Sequence, residues 1–219
     1  MNGRLAIIGL GALGSLFAAR LAPEVEVTML GHWPEQLAAI RERGLNLITP
    51  EGEQTRRQVH VTDRPPGWRF PLILVLVKSW QTATAAGAAG QMLASDGLAL
   101  SLQNGLGNLE QLARTLGAGR AGLGVTSEGA MIPEPGVVLH AGRGLTSLAR
   151  SPTRAGQVEE AAALLRAAGF ETEIVDDAQG LLWGKLAVNT AINPLSALLQ
   201  VPNGHLIQSP AAARILAAA

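Results

Sequence analysis

The chain has 219 residues, of which 47% are hydrophobic and 16% charged, and its formal net charge is zero. This composition is sufficient for a large core and argues against wholesale disorder. The lack of a basic excess disfavours nucleic acid as a partner. The absence of cysteine excludes disulfides, thiol catalysis and cysteine-ligated metal, and no metal site is predicted. No run of about 20 apolar residues occurs, so we expect no membrane span and a cytoplasmic protein.

Strand and helix patterns alternate along most of the chain. The apolar run at 72–77 is continuous, which is typical of a strand buried on both faces. The alternation predicts an α/β fold, with a Rossmann-type, doubly wound parallel sheet over residues 1–175. In chain order the predicted elements are a strand at 4–8, a helix ending near 21, a strand at 25–30, a helix at 34–43, short strands within 45–61, a strand at 72–77, a helix through 94, a strand at 98–102, a helix at 109–116, strands at 121–126 and 137–140, a helix at 157–168 and a strand at 171–175.

The pattern changes after Asp176 and Asp177. Residues 179–199 have a long helical pattern, and no further strand is predicted after it. We therefore expect residues 176–219 to be the beginning of an all-helical domain, truncated within its second helix. Such a truncation would expose apolar surface on residues 180–216 and favour a homo-oligomer.

A glycine-rich turn joins the first predicted strand to the first helix. Its G-x-G-x-x-G pattern is typical of dinucleotide sites, because the glycines allow a tight turn, a close approach of pyrophosphate and close helix packing. The helix amino terminus adds partial positive charge. The alternative is an ordinary turn that happens to contain three glycines. The predicted cofactor contacts are Gly9, Leu10, Gly11, Ala12, Leu13 and Gly14.

The segment after the second predicted strand bears on the choice between NAD and NADP. It reads Leu30-Gly31-His32-Trp33 and contains no carboxylate to bind a ribose 2′-hydroxyl, which favours NADP. It contains no arginine either. His32 is the nearest candidate for the 2′-phosphate and would bind it strongly only when protonated. The two arginines at 41 and 43 are alternatives, or belong to a solvated helix face.

Lysine is rare in this chain, since only Lys78 and Lys185 occur beside fifteen arginines. Arginine cannot release a proton near neutral pH, whereas a partly buried lysine can. Lys185, Asn189 and Asn193 are spaced four residues apart and would line one helix face. A keto acid could pair with these polar groups, with Lys185 protonating the carbonyl oxygen during reduction. The alternative is a lysine that extends to water beside surface asparagines.

Three further positions are marked by loops and turns. Lys78 and Asn104 follow buried strands at the edge where open α/β sheets bind ligands. Asn104-Gly105 can equally be a tight turn. Asn203 lies in a Pro-Asn-Gly turn that by itself indicates only a loop. Pro194 is expected to bend or break the helix that precedes this turn.

Five segments together resemble the ketopantoate reductase family over essentially the whole chain. They are GLGALG at 9–14, VKSWQ at 77–81, QNGLGN at 103–108, WGKLAVNTAINPLSAL at 183–198 and PNG at 202–204. The resemblance implies reduction of ketopantoate to pantoate by NADPH, on the route to pantothenate and coenzyme A. In the roles that it implies, Lys185 is the proton donor, Asn189, Asn193 and Asn203 bind the keto acid, Asn104 contacts both ligands, and Lys78 and the backbone of Ala130 contact the cofactor.

The chain departs from the family pattern in two ways. The basic residue that often follows the second strand is missing, with His32 in its vicinity. Similar proteins continue past the position that matches residue 219 through further helices, which carry a substrate-binding serine and an active-site glutamate, and neither residue can be assigned in this sequence. The resemblance implies that the helical domain begun by residues 176–219 serves substrate binding and dimerisation. Two alternatives remain open: a β-hydroxyacid dehydrogenase, which also combines a glycine-rich turn with a lysine and an asparagine, and a non-catalytic dinucleotide-binding module.

Overall fold

A computed structural model of the chain describes residues 3–218, the last of these by its backbone alone. The described residues form two compact units, which divide between Ala178 and Gln179. The first unit holds every strand of the described residues, and the second is helical.

Twelve strands form two sheets in the first unit. They are β1 (Arg4–Ile8), β2 (Glu26–Leu30), β3 (Leu45–Ile48), β4 (Gln54–Arg57), β5 (His60–Thr62), β6 (Phe70–Val75), β7 (Leu93–Ser101), β8 (Ala121–Thr126), β9 (Gly129–Glu134), β10 (Val137–Gly142), β11 (Thr146–Ala149) and β12 (Thr172–Val175).

Eight α-helices are described, together with two short 3-10 turns at Ser79–Gln81 and Ala118–Arg120. None of the helices within residues 3–218 combines the length and apolar character that crossing a membrane requires. The helices are α1 (Ala12–Leu21), α2 (Pro34–Arg43), α3 (Thr82–Met92), α4 (Asn108–Leu116), α5 (Ala155–Ala167), α6 (Ala178–Leu199), α7 (Asn203–Leu206) and α8 (Pro210–Ala218).

The larger sheet confirms the predicted parallel core. Its order is β12-β11-β8-β7-β6-β1-β2-β5, and only the β8–β11 pair is antiparallel. Side chains alternate across β1, so that Leu5 and Ile7 join the apolar cluster of α1 and α5, whereas Ala6 and Ile8 join that of α3 and α4. Helices therefore cover both faces, which is the doubly wound arrangement.

The smaller sheet, of order β4-β3-β10-β9, was not predicted. The strand predicted at 137–140 belongs to this sheet, where it pairs in parallel with β3, and not to the parallel core. Its other partner, β9, was not among the predicted strands. The sheet pairs segments about ninety residues apart in the chain, and local periodicity carries no information on such pairing.

The second unit begins with a single long helix. α6 continues through Pro194, so the expected break does not occur. Proline removes one N–H hydrogen bond from a helix. Two hydroxyl groups near Pro194 donate to other main-chain carbonyls, that of Thr190 to Leu186 O at 2.7 Å and that of Ser196 to Asn193 O at 3.1 Å. Lys185, Asn189 and Asn193 consequently lie on one uninterrupted helix.

Candidate functional site

The glycine turn is built by close contacts between main-chain segments. Gly9 has φ +130°, and a Cβ added there would lie 2.6 Å from the carbonyl oxygen of Leu76. A Cβ added at Gly14 would collide with the carbonyl oxygen of Gly9. The Gly9 N–H donates to Leu30 O at 2.8 Å, and so the turn is held against the ends of β2 and β6. Glycine at these two positions is thus a packing requirement of the fold.

Gly11 differs from the other two glycines. A Cβ added there would meet no heavy atom within 4 Å. Gly11 is also the N-cap of α1, and no side chain of the described residues caps that helix. The first N–H groups of α1 therefore have no side-chain partner, and an anion can approach the backbone at this point.

A cavity of about 770 Å³ opens beside this turn. Its volume lies within the usual range of small-molecule sites. Gly14 is not part of the wall, because it packs against Gly9 inside the turn. A second cavity, of about 690 Å³, begins at Arg4 and Arg69, at the other end of β1, and does not include the glycine turn. The predicted residues that line the first cavity are Gly9, Leu10, Gly11, Ala12, Leu13, His32, Lys78, Asn104 and Ala130.

A buried amide links the two loops that carry Lys78 and Asn104. Gln103 is 4% exposed, and its Nε2 donates to Val77 O at 3.1 Å and to the Thr82 hydroxyl at 2.8 Å. The Asn108 side chain in turn donates to Asn104 O at 3.1 Å. Lys78 and Asn104 themselves are exposed at the cavity wall. Gln103 and Asn108 belong to the QNGLGN segment, but sequence reasoning assigned a role only to Asn104.

The strand next to β2 brings two further charged residues, which were not predicted, to the sheet edge of His32. β5 pairs in parallel with β2, with Leu30 opposite Thr62, and the Gly31 N–H donates to Thr62 O at 3.1 Å. Asp63 and Arg64 therefore follow at the same sheet edge as His32, and the Arg64 Nε lies 3.6 Å from the Asp63 carboxylate. No sequence signal could have placed Arg64 there, because the β2–β5 pairing joins segments about thirty residues apart.

Four of the five predicted substrate residues lie in the second unit, whereas Asn104 lies in the first. Lys185 and Asn189 are half-buried, whereas Asn193 is exposed. Partial burial lowers the pKa of the Lys185 amine from its ordinary value, because the less solvated environment disfavours the charged form. Asn203 is exposed and is the first residue of α7, so it is part of a helix start and not of an extended loop.

Two family models cover most of the chain. The model described as ketopantoate reductase PanE/ApbA matches residues 5–153, and that of its C-terminal domain matches residues 177–219. The chain belongs to the ketopantoate reductase family. The second family model begins at residue 177, close to the division between the two units.

Individual relatives agree with the family models. A 2-dehydropantoate 2-reductase of Halobacterium salinarum is 40% identical over 97% of this chain and 71% of its own length, and one of Pyrococcus horikoshii is 39% identical over 93% and 66%. The crystal structure of 2-dehydropantoate 2-reductase from Geobacter metallireducens GS-15 is similar with a TM-score of 0.86 and 32% identity, over 97% of this chain and 71% of that one. The chain thus spans about two thirds of the length of these ketopantoate reductases.

Gly14 and Gly11 are expected to respond differently to an added methyl group. Gly14→Ala should lower the melting temperature, because its Cβ has no room. Gly11→Ala should leave the melting temperature unchanged but weaken binding of NADPH at least about tenfold, since its Cβ occupies the space that a pyrophosphate needs. Binding can be followed by tryptophan fluorescence, because Trp33 and Trp80 line the cavity.

Gly156→Ala is the matched control, since a Cβ there also meets nothing within 4 Å and Gly156 does not line this cavity. The control should bind NADPH like the unmodified protein. Unchanged affinity in Gly11→Ala would show that the pyrophosphate lies elsewhere.

Proposed function

We propose that this protein is an NADPH-dependent ketopantoate reductase, which reduces 2-dehydropantoate to pantoate for pantothenate and coenzyme A synthesis. The observation that carries the proposal is the half-buried Lys185 on a helix face shared with Asn189 and Asn193, in a chain of this family. In this account the first unit holds the cofactor and the second supplies the groups that contact the keto acid.

The residues of the first unit fit a dinucleotide. Gly11 leaves open space at the uncapped amino terminus of α1, which suits a pyrophosphate. His32, Asn104 and Ala130 line the same cavity. When bound, the reduced nicotinamide supplies the hydride. Gly9 to Leu13, His32, Lys78, Asn104 and Ala130 are the residues proposed to hold the cofactor, with Gly14 supporting the turn from inside.

Lys185 is proposed as the general acid. Reduction of a ketone builds negative charge on oxygen, and an ammonium within hydrogen-bond reach stabilises that charge and then donates a proton to it. The amine that remains regains its proton from solvent. Asn189, Asn193 and Asn203 are proposed to orient the hydroxyl and carboxylate groups of the keto acid, and Asn104 to contact both ligands. Neutral amides can do this without opposing the charge of the carboxylate.

The preference for NADP rests on the adenosine end of the cavity. No carboxylate follows β2 directly, and Arg64 follows β5 at the same sheet edge as His32. Asp63 pairs with Arg64 and opposes part of its charge. The self-association expected from exposed side chains such as Leu198 and Ile207 remains a prediction.

An assay of paired substrates tests the proposed reaction. Ketopantoate with NADPH should be turned over with a kcat/KM at least about tenfold above that for ketopantoate with NADH. A β-hydroxyacid dehydrogenase would instead oxidise 3-hydroxy acids with NAD. Binding of NADPH with no turnover of either substrate pair would favour the non-catalytic module.

Substitution of Lys185 separates its charge from its proton. Lys185→Arg retains the positive charge but cannot release a proton near neutral pH, and Lys185→Ala retains neither. Both variants should lose turnover at least about 100-fold while the affinity for NADPH stays nearly unchanged. Stopped-flow absorbance at the nicotinamide band measures the loss. Full turnover in Lys185→Arg would exclude Lys185 as the proton donor.

The pH dependence of the reduction should report the same group. A general acid must be protonated, so kcat/KM should be constant at low pH and fall as the pH rises through the pKa of Lys185. Because burial lowers that pKa, the fall should occur at a lower pH than for an exposed lysine. A profile that remains flat up to the ordinary lysine range would contradict the assignment.

A further inference from the structure

The two sheets of the first unit are joined by a very short crossing beside the cavity. β8 of the larger sheet ends at Thr126 and β9 of the smaller sheet begins at Gly129, so that only Ser127 and Glu128 lie between them. Residues 128–130 line the cavity. The position of this part of the wall therefore depends on how the crossing is held.

The pairing of strands is irregular where the wall begins. In the antiparallel β9–β10 pair, Ala130 lies opposite His140, but its neighbour Gly129 lies opposite Gly142. One extra residue of β10 is thus accommodated beside Gly129, which is a β-bulge. Bulges weaken the local ladder and are common next to active sites. The main-chain hydrogen bonds between β9 and β10 alone therefore fix the backbone positions of Gly129 and Ala130 only loosely.

A buried side-chain pair spans this irregularity. Glu128 Oε2 lies 2.6 Å from His140 Nε2, and the two side chains are 3% and 2% exposed. Glu128 immediately precedes Gly129, whereas His140 lies on β10 opposite Ala130. The pair therefore links the two sides of the bulge. His140 Nδ1 has no hydrogen-bond partner among residues 3–218, so Glu128 is the group that holds the imidazole.

Hydrogen bonds hold the other end of the crossing to the larger sheet. The Glu128 N–H donates to the Thr126 hydroxyl at 3.2 Å, and that hydroxyl lies 2.8 Å from the hydroxyl of Thr146 on β11. The Ser127 N–H donates to Leu145 O at 3.0 Å. Glu128 is therefore fixed to the larger sheet by its main chain and to the smaller sheet by its side chain.

Stability alone gives a weak reason to bury this pair. Taking two ionisable groups out of water costs free energy that their attraction often only offsets, and apolar side chains of similar volume frequently serve as well. A short directional contact can instead fix one arrangement of the groups that it joins. The location of Glu128 and His140 beside the bulge and the cavity is consistent with that second use.

We propose that Glu128 and His140 are a positioning pair, which fixes the backbone of Gly129 and Ala130 against the nicotinamide end of the dinucleotide. The inference depends on the proposed function, since it requires a nicotinamide cofactor in this cavity. Neither side chain takes part in proton transfer to the substrate. Both act through the main chain that they hold.

Single substitutions of Glu128 test the pair, with NADPH as the probe. Glu128→Ala should raise the Kd for NADPH and lower kcat, each at least about tenfold, with a smaller change in the KM for ketopantoate. Glu128→Gln can still hydrogen-bond His140, so its Kd for NADPH and its kcat should lie within about threefold of the values of the unmodified protein. The measurements are NADPH titration by fluorescence, steady-state kinetics, and the melting temperature of the unliganded protein.

Ser147→Ala is the matched control. It removes a polar contact of another buried side chain, from the Ser147 hydroxyl to the carboxylate of the exposed Glu173 at 2.7 Å, between β11 and β12 and outside the cavity wall. Its melting temperature should fall, but its Kd for NADPH should remain within about twofold of the unmodified protein. The double variant Glu128→Met with His140→Leu should fold like the unmodified protein, and yet bind NADPH as weakly as Glu128→Ala.

The outcomes distinguish three cases. If Glu128→Ala lowers only the melting temperature, or if the double variant binds NADPH normally, the pair is structural and the positioning role is wrong. If the unmodified protein does not bind NADPH, the proposed function itself fails. If Glu128→Ala does not fold, the double variant and Glu128→Gln still decide the question.

Discussion

The close approach of main-chain segments at the glycine turn is the constraint on which the rest of the site depends. Gly9 contacts the end of β6 and Gly14 contacts Gly9, so the first helix can begin at this depth only where both residues lack a side chain. The same contacts bring the ends of β1, β2 and β6 together at one edge. The open position at Gly11, the uncapped helix and the cavity follow from that arrangement.

The proposed reaction requires, in addition, a group that can give up a proton. The chain uses arginine almost throughout and retains lysine at only two positions, one at the cavity wall and one on α6. Arginine at Lys185 would retain the charge but not the proton chemistry. Partial burial lowers the pKa of Lys185, which brings a lysine closer to the range in which general acids operate. In this proposal the first unit must provide the close main-chain packing of the glycine turn, and the second must provide the proton donor.

The parallel core and the glycine turn could be predicted from the sequence because both are local. The run at 72–77 and the spacing of Gly9, Gly11 and Gly14 carry their meaning within a few residues. The smaller sheet, the location of Arg64 at the sheet edge of His32, and the pair of Glu128 with His140 could not be predicted, since each depends on how strands pair in the fold. The long helix predicted at 179–199 is present, but the sequence left open a break at Pro194 that does not occur.

Residues whose positions depend on the folded structure lie next to the residues that sequence motifs identify. Ala130 was identified by resemblance, and the structure adds the bulge and the buried pair beside it. Asn104 was identified in the same way, and the structure adds the Gln103 and Asn108 amides that hold its loop. Motifs therefore identify the candidate contacts with ligand, while the groups that hold those contacts in place become visible only in the folded chain.

Amide hydrogen exchange with and without saturating NADPH tests the central claim most directly, namely that the cavity beside the glycine turn is the cofactor site. The account predicts that exchange at residues 9–14 slows at least about tenfold, while exchange in β4, outside the cavity wall, is unchanged. Unchanged exchange at residues 9–14 under conditions in which NADPH binds, with protection instead around the cavity at Arg4 and Arg69, would contradict it.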